Sequence, residues 1–231
     1  MLARLALLLT FLPSMTTAGP WIREQGSVYA LVSHYGGSDG WTGFYAEYGG
    51  PFGWTYGLDL GGHVVGLPQL MQTGIADQDV DGRIRSFVRL PLPLPTGDTV
   101  PDWLDPWLAA VEFSVGQDIE SDGTQIDRVG IGGTVGRGFS SRFGDGWTTF
   151  DLGMSFAEDD RRTTYAAVIG VKPIDRLAVE LGAFGEQTDE FEYQIGPTLQ
   201  YGFGQIGAAR VGLAYRSEGD LQGSVGWSLE F

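Results

Sequence analysis

The sequence predicts an all-β protein: a closed antiparallel transmembrane β-barrel of about twelve strands. Three observations carry that expectation. Apolar residues recur with period two in segment after segment, the repeat of a strand with two unlike faces. One face is Leu, Val, Phe and Tyr, and the other is glycine, serine, threonine and scattered charge, which cannot fill a dry core but can line a wet lumen. The segments number twelve, each of roughly nine to eleven residues, the length at which a tilted strand crosses a bilayer.

The 231 residues hold 29 acidic and 14 basic side chains, two histidines, 37 glycines, no cysteine and no asparagine. That length suits one domain, or at most two. The net charge of −15 argues against nucleic acid, whose phosphates need a basic face, and against polybasic attachment to an anionic membrane. Without cysteine there is no disulfide, thiolate nucleophile, zinc finger or iron–sulfur cluster.

Residues 1–18 read as an export signal and 19–231 as the barrel domain. Arg4 supplies a basic start, Leu5–Leu12 a short apolar run, and Thr16-Thr17-Ala18 a small-residue cleavage site. The apolar run is too short to span a bilayer, and no later stretch approaches eighteen apolar residues.

The strands follow in order. The first lies near 26–35, with its phase open: Val28, Ala30 and Val32 compete with Tyr29, Leu31 and Tyr35 for one face. The second lies near 41–48. In Trp54–Gly61, Trp54, Tyr56, Leu58 and Leu60 oppose Thr55, Gly57, Asp59 and Gly61. Segments near 82–90, 107–116 and 128–138 follow. In Thr148–Phe156, Thr148, Phe150, Leu152, Met154 and Phe156 oppose Thr149, Asp151, Gly153 and Ser155. After a segment near 163–171, Leu177–Ala183 and Phe191–Tyr201 alternate again, the latter with Pro197 deleting one ladder donor. Segments at 206–215 and Leu221–Phe231 close the series. Glycine, proline and aspartate fill the turns between them, as in Gly36-Gly37-Ser38-Asp39-Gly40 and Phe143-Gly144-Asp145-Gly146. Two connections are longer, Gly62–Ala76 and Pro91–Pro106. The second, with five prolines, reads as an ordered extended loop.

In a soluble sandwich the apolar face would turn inward. Here the small and charged composition of the other face turns the apolar side chains toward lipid, and strands in lipid must close to satisfy their backbone. Trp41, Tyr48, Trp54, Trp107, Trp147 and Tyr201 at strand ends read as interfacial girdles. An even strand number puts both termini on one side, the periplasmic one.

Charge on the inner face points to passage of solutes. Arg83, Arg85 and Arg89 fall on one face of the fourth strand, and Asp59 and Glu112 fall on the same face of its neighbours. Cations on one wall beside acids on the next create a transverse field that orients polar solutes at a constriction. The alternative is a static salt-bridge network that plugs a narrow barrel. Glu47, Asp151, Glu180, Glu192 and Arg210 line the same lumen, and their acidic excess favours cations or neutral polar solutes. Asp77, Asp79 and Asp81 resemble the first half of a calcium loop, but Val88 stands where its bidentate glutamate is needed. They read as an acidic rim able to hold a weakly bound divalent ion. Gly130, Gly132, Gly136 and Gly138 lack the dinucleotide spacing and read as one strand face. His34, with Ser38 near the outer mouth, is the one place for a lipid-hydrolysing centre, and no matching motif surrounds it. His63 has no partner motif either. The expected protein is not an enzyme and needs no cofactor.

The terminus carries a more specific likeness. Ser224-Val225-Gly226-Trp227-Ser228-Leu229-Glu230-Phe231 resembles the carboxy-terminal assembly signal of outer-membrane barrels, with Gly226, Leu229 and Phe231 at its marked positions. That likeness implies the cell outer membrane of a Gram-negative bacterium, with membrane lipid and the barrel assembly machinery as partners. Tyr45-Ala46-Glu47-Tyr48-Gly49, Gly57-Leu58-Asp59-Leu60-Gly61 and Gly74-Ile75-Ala76-Asp77 look like proteobacterial outer-membrane transporters of the phenol meta-cleavage pathway type. That implies passage of a small polar or aromatic solute. The alternatives are an outer-membrane lipid-modifying enzyme and a plugged structural or adhesive barrel.

Overall fold

In the computed structural model, residues 20–36, 40–63, 81–95, 107–158 and 160–231 are described. The expected export signal, the loop serine Ser38, Asp77 and Asp79 lie outside them. Twelve strands run in chain order: β1 (Val28–Tyr35), β2 (Trp41–Gly49), β3 (Thr55–His63), β4 (Gly82–Leu92), β5 (Trp107–Ile119), β6 (Gln125–Ser141), β7 (Gly144–Phe156), β8 (Arg161–Ile174), β9 (Leu177–Gln187), β10 (Phe191–Gly202), β11 (Ala208–Arg216) and β12 (Leu221–Glu230). Every neighbouring pair is antiparallel, and β1 pairs with β12, so the sheet is a closed barrel. At the seam Val28 donates to the Phe231 carbonyl at 2.8 Å, and Phe231 donates back to Val28 at 3.0 Å. Closure leaves no open edge in lipid.

Both termini lie at one end, here the terminal end; the other is the loop end. The outward face is apolar: Phe150, Leu181 and Val225 stand 49%, 49% and 57% exposed. Among the described residues there is no sealed apolar core for them to join, so the lipid-facing reading holds. The first strand's open phase resolves with Tyr29 inward and buried and Val32 outward.

Three details depart from the sequence reading. Trp41 and Trp147 are not girdle residues. Trp41 lines the lumen, and Trp147 is 1% exposed inside it. Each indole lies where a side chain on the next strand would otherwise stand: a Cβ added at Gly170 would meet the Trp147 ring, and one at Gly61 would meet Trp41. Gly57 likewise lies under the Phe87 ring. Second, the proline-rich connection is partly strand. β4 continues through Pro91, opposite Ala110, to Leu92, opposite Ala109. Pro91 is tolerated because β4 pairs with β3 only as far as Thr55↔Arg89, so no β3 acceptor lacks its donor. Third, the strands are longer than expected on the β5–β8 wall, where β6 spans 17 residues. Pro197 does sit inside β10, and the β10–β11 pairing is interrupted at Gly196 and Pro197, between Ile195↔Tyr215 and Thr198↔Gly212, with the register unchanged.

Candidate functional site: a charged lumen closed at one end

Period two on β3, β4 and β5 brings Asp59, Arg83, Arg85, Arg89 and Glu112 to one patch of the inner wall, because Asp59 registers with Arg85 and Arg89 with Glu112. Arg83 reaches Asp59 at 3.1 Å; Arg85 stands 3.7 Å from Asp59 and 3.8 Å from Glu112. Arg89 holds Glu112 at 2.9 Å and Glu47 at 2.8 Å. The patch grades with depth. The side chains of Arg83 and Arg85 are 42% and 43% exposed, while those of Arg89 and Glu47 are 4% and 1%. Arg85 and Arg89 flank the Phe87 ring at 5.7 and 5.3 Å, a cation–π sandwich on one strand face. Tyr45 stacks on Phe87 at 5.7 Å and donates to Glu47 at 2.6 Å.

A cavity of about 890 Å³ runs inward and reaches Asp59, Arg85, Glu112 and Asp151. Its walls include Trp41, His63, Phe184 and Glu192. A second cavity of about 990 Å³ shares its Arg83, Asp118, Arg128 and Arg162 walls and extends to Asp81 and Glu120 at the loop end. Asp81 therefore sits at the loop-end mouth. Among the described residues no group of three or more carboxylates or histidines could hold a metal ion there.

Beneath Asp151 and Glu112 the lumen is filled. Thr55 and Thr149 are 0% exposed, Ala110 and Trp147 1%, and Glu180 4%. Glu180 and Arg210 pair at 2.7 Å within this fill, so these two sequence-predicted lining residues lie below the open cavity. The segment before β1 packs into the terminal mouth. Pro20 is buried against β6, and a Cβ at Gly136 would stand 3.0 Å from it. Three residues on, the Arg23 backbone donates to the Thr55 hydroxyl at 2.9 Å, its guanidinium pairs with Glu47 and reaches Glu230 at 3.2 Å, and it covers the Tyr29 ring at 4.5 Å.

Sequence reasoning placed four cations inside and missed five. Arg128, Arg162 and Arg216 line the cavity; Lys172 stands 5.8 Å over the buried Trp147; Arg23 enters with the strap. Strand parity would have found the first three, since Arg128 shares a face with Gly130 and Gly132. They knit the loop-end wall across strands: Arg128 pairs with Asp118 and Asp160, and Arg162 with Asp118 at 3.4 Å and Glu186 at 3.0 Å. The hydrogen bond from Arg128 holds the loop carboxyl of Asp160 below the usual carboxylate range. Among the described residues the two cavities are lined by ten carboxylates and five arginines, so these cations reduce the acidic excess of the open lumen without cancelling it.

The histidines do not form a centre. His34 is on the outer face, where its Nδ1 meets the Thr42 hydroxyl at 2.9 Å. His63 is on the inner face with its ring 5.0 Å from Trp41. Gly226, Leu229 and Phe231 lie on the last strand and at the seam, with Phe231 exposed.

No protein-family model matches the chain, and neither does any curated protein sequence. Solved structures do match. The KdgM porin superposes with a TM-score of 0.61 at 9% identity, covering 88% of this chain and 99% of that one. The NanC porin gives 0.55 at 9% identity, covering 87% and 97%. LpxR from Salmonella typhimurium gives 0.50 at 9% identity, covering 89% and 99%. At these identities the likeness is one of fold: a closed twelve-stranded barrel of the outer-membrane type, in keeping with the apolar exterior. It lends no support to the phenol meta-cleavage transporter group in particular.

Proposed function

We propose that the barrel lets small polar solutes cross the outer membrane passively, and that Asp59, Arg83, Arg85, Glu112 and Asp151 form the selecting constriction. The observation that carries this reading is the cavity of about 890 Å³ that ends on those side chains. Arg83 and Arg85 keep some two-fifths of their surface open there, so a solute can replace part of their contact with the neighbouring acids. Opposed charges across a narrow wet passage hold a solute by its dipole and release it again, which conduction requires. Paired charges with carboxylates in excess along the open walls suit neutral, zwitterionic or cationic solutes better than anions. Trp41 and Phe184 add ring faces for an aromatic solute of the kind implied by the likeness to meta-cleavage transporters. Similarity to porins, one of them solved in complex with a disordered oligogalacturonate, agrees with passage of solutes.

The alternative of a lipid-modifying enzyme is disfavoured by His34, whose Nδ1 meets a threonine hydroxyl rather than an acid. We therefore assign no enzymatic role.

Planar-bilayer recording under a salt gradient tests the proposal. Arg85→Glu turns the mixed constriction acidic and is expected to move the reversal potential toward cation selectivity. An unchanged reversal potential removes Arg85 from the constriction. A barrel that inserts but passes no current, even with its terminal mouth unblocked, ends the channel reading.

A further inference from the structure

We infer that residues 20–24 are a releasable plug, that the barrel conducts only when this segment leaves the terminal mouth, and that Arg23 is its latch. The inference rests on the channel reading and adds to it where the closure lies and what opens it.

The segment is seated in the mouth at both ends. Pro20 lies against β6 beside Gly136 and the Thr148 carbonyl; a Cβ at Gly136 would come within 2.7 Å of that oxygen and 3.0 Å of the proline ring. Arg23 is fixed on the other side of the ring of strands, to Thr55 of β3, Glu47 of β2 and Glu230 of β12. Four strand steps separate β2 from β6 in the barrel order, so the short stretch from Pro20 to Arg23 bridges the opening rather than following one wall. The chain then turns at Gly26, with φ of +87°, and Gly26 donates to the Gly49 carbonyl at 2.8 Å before β1 begins. The Glu24 carbonyl occupies the space a Cβ at Gly49 would need, so Gly49 has to be glycine for the turn to seat.

The contacts are those of a device that opens. Pro20 to Glu24 makes no strand ladder, and its firmest hold is one guanidinium on two carboxylates. Both carboxylates have other means of support when Arg23 leaves: Glu47 keeps Arg89 at 2.8 Å and the Tyr45 hydroxyl at 2.6 Å, and Glu230 is already exposed. Water can replace Arg23 without leaving a buried orphan charge. Glu47 therefore joins the plug to the constriction, because it is shared by Arg23 and by the Arg89 that binds Glu112.

The chain has no cysteine, so a disulfide can be introduced without background. The full-length barrel carrying Pro20→Cys and Gly136→Cys is recorded in planar bilayers oxidised and then reduced. Arg23→Ala is recorded beside the unmodified protein, with folding checked by heat-modifiable mobility in gels. The expected result is loss of current in the oxidised pair, recovery on reduction, and a several-fold rise in open probability for Arg23→Ala. Current that is the same in the oxidised and reduced pair, with Arg23→Ala indistinguishable from the unmodified barrel, overturns the plug and leaves the channel standing. Absence of current from every form, reduced pair and Arg23→Ala included, overturns the channel reading and the plug with it. A Cβ at Gly136 crowds the Thr148 carbonyl, so if the cysteine pair does not fold Arg23→Ala alone decides, and if Arg23→Ala does not fold the cysteine pair does.

Discussion

Replacing Arg89 with methionine tests whether the terminal half of the lumen is a packed ionic interior or a wet salt-bridge ladder. The Arg89 side chain is 4% exposed and pairs with Glu47, 1% exposed, at 2.8 Å and with Glu112, 19% exposed, at 2.9 Å. Removing one member of a buried pair costs about 3–5 kcal/mol, because the partner is left charged without compensation. Two features reduce that figure here. Glu47 retains Arg23, and Glu112, 19% exposed, retains Arg85 at 3.8 Å. Methionine also keeps much of the stem's packing on Phe87. The expected loss is therefore about 2–3 kcal/mol for Arg89→Met. Glu47→Gln, which takes the carboxylate from both guanidiniums, should cost at least as much. The double variant should lose less than the two singles together, by about 1–2 kcal/mol, because each change removes the penalty the other creates. Urea unfolding of the barrel in lipid vesicles, followed through its seven tryptophans, measures all three. If Arg89→Met unfolds within about 0.5 kcal/mol of the unmodified barrel and the singles simply add, the network behaves as a solvated surface ladder. The argument that the terminal half is filled then fails.

Two further predictions address the outer face and the aromatic-on-glycine packing. Leu181 is 49% exposed near the middle of β9; Leu181→Arg should cost about 2–4 kcal/mol in the same vesicle titration if it meets lipid near the midplane, and a neutral effect would place β9 outside the bilayer. Gly57→Val drives a Cβ into the Phe87 ring and should cost about 1–3 kcal/mol, with Phe87→Ala in the same chain restoring part of the loss. Equal stability of the two Gly57→Val chains would show that the ring has room to move aside.

The fold was legible because a transmembrane strand advertises itself twice, by period and by the contrast of its faces. Thr148–Phe156 states both without reference to any other segment. The ion-paired patch of Asp59, Arg83, Arg85, Arg89 and Glu112 was legible for the same reason: three arginines at even spacing must share a wall, and antiparallel neighbours supply the acids. What failed depended on contacts between strands. An aromatic at a strand end can serve a girdle or the lumen, and nothing local to Trp147 distinguishes the two. Gly170, on the neighbouring strand, makes room for the indole inside. Pro91 looked like a strand breaker because its missing donor was counted, whereas the β3 strand that would have needed it ends at Thr55. The strap was beyond local reading altogether. Pro20–Glu24 has no periodicity, and its meaning comes from Gly136, Glu47 and Glu230, which are distant in sequence.

A barrel that spends its apolar residues on the lipid side must fill or wet its interior with what remains. Buried polar groups are tolerated only when paired, so a filled interior has to be a network of ions and hydroxyls such as Arg23, Glu47, Arg89 and Glu112. Such a network differs from an apolar plug in how it gives way. Apolar groups pulled apart into water lose their whole transfer energy, whereas ions pulled apart regain hydration that nearly offsets the lost attraction. Closure by ion pairs is therefore close to balanced, and small changes can tip it. The exchange is easiest where water already stands nearby, at Glu230 on the terminal rim and at Arg85 on the cavity floor. Arg89 and Glu47 lie between those two points. Arg89→Met leaves Glu47 to Arg23 alone, so release of Arg23 would then strand a buried carboxylate, and the variant is expected to lose stability and to show a lower open probability than the unmodified barrel in planar bilayers.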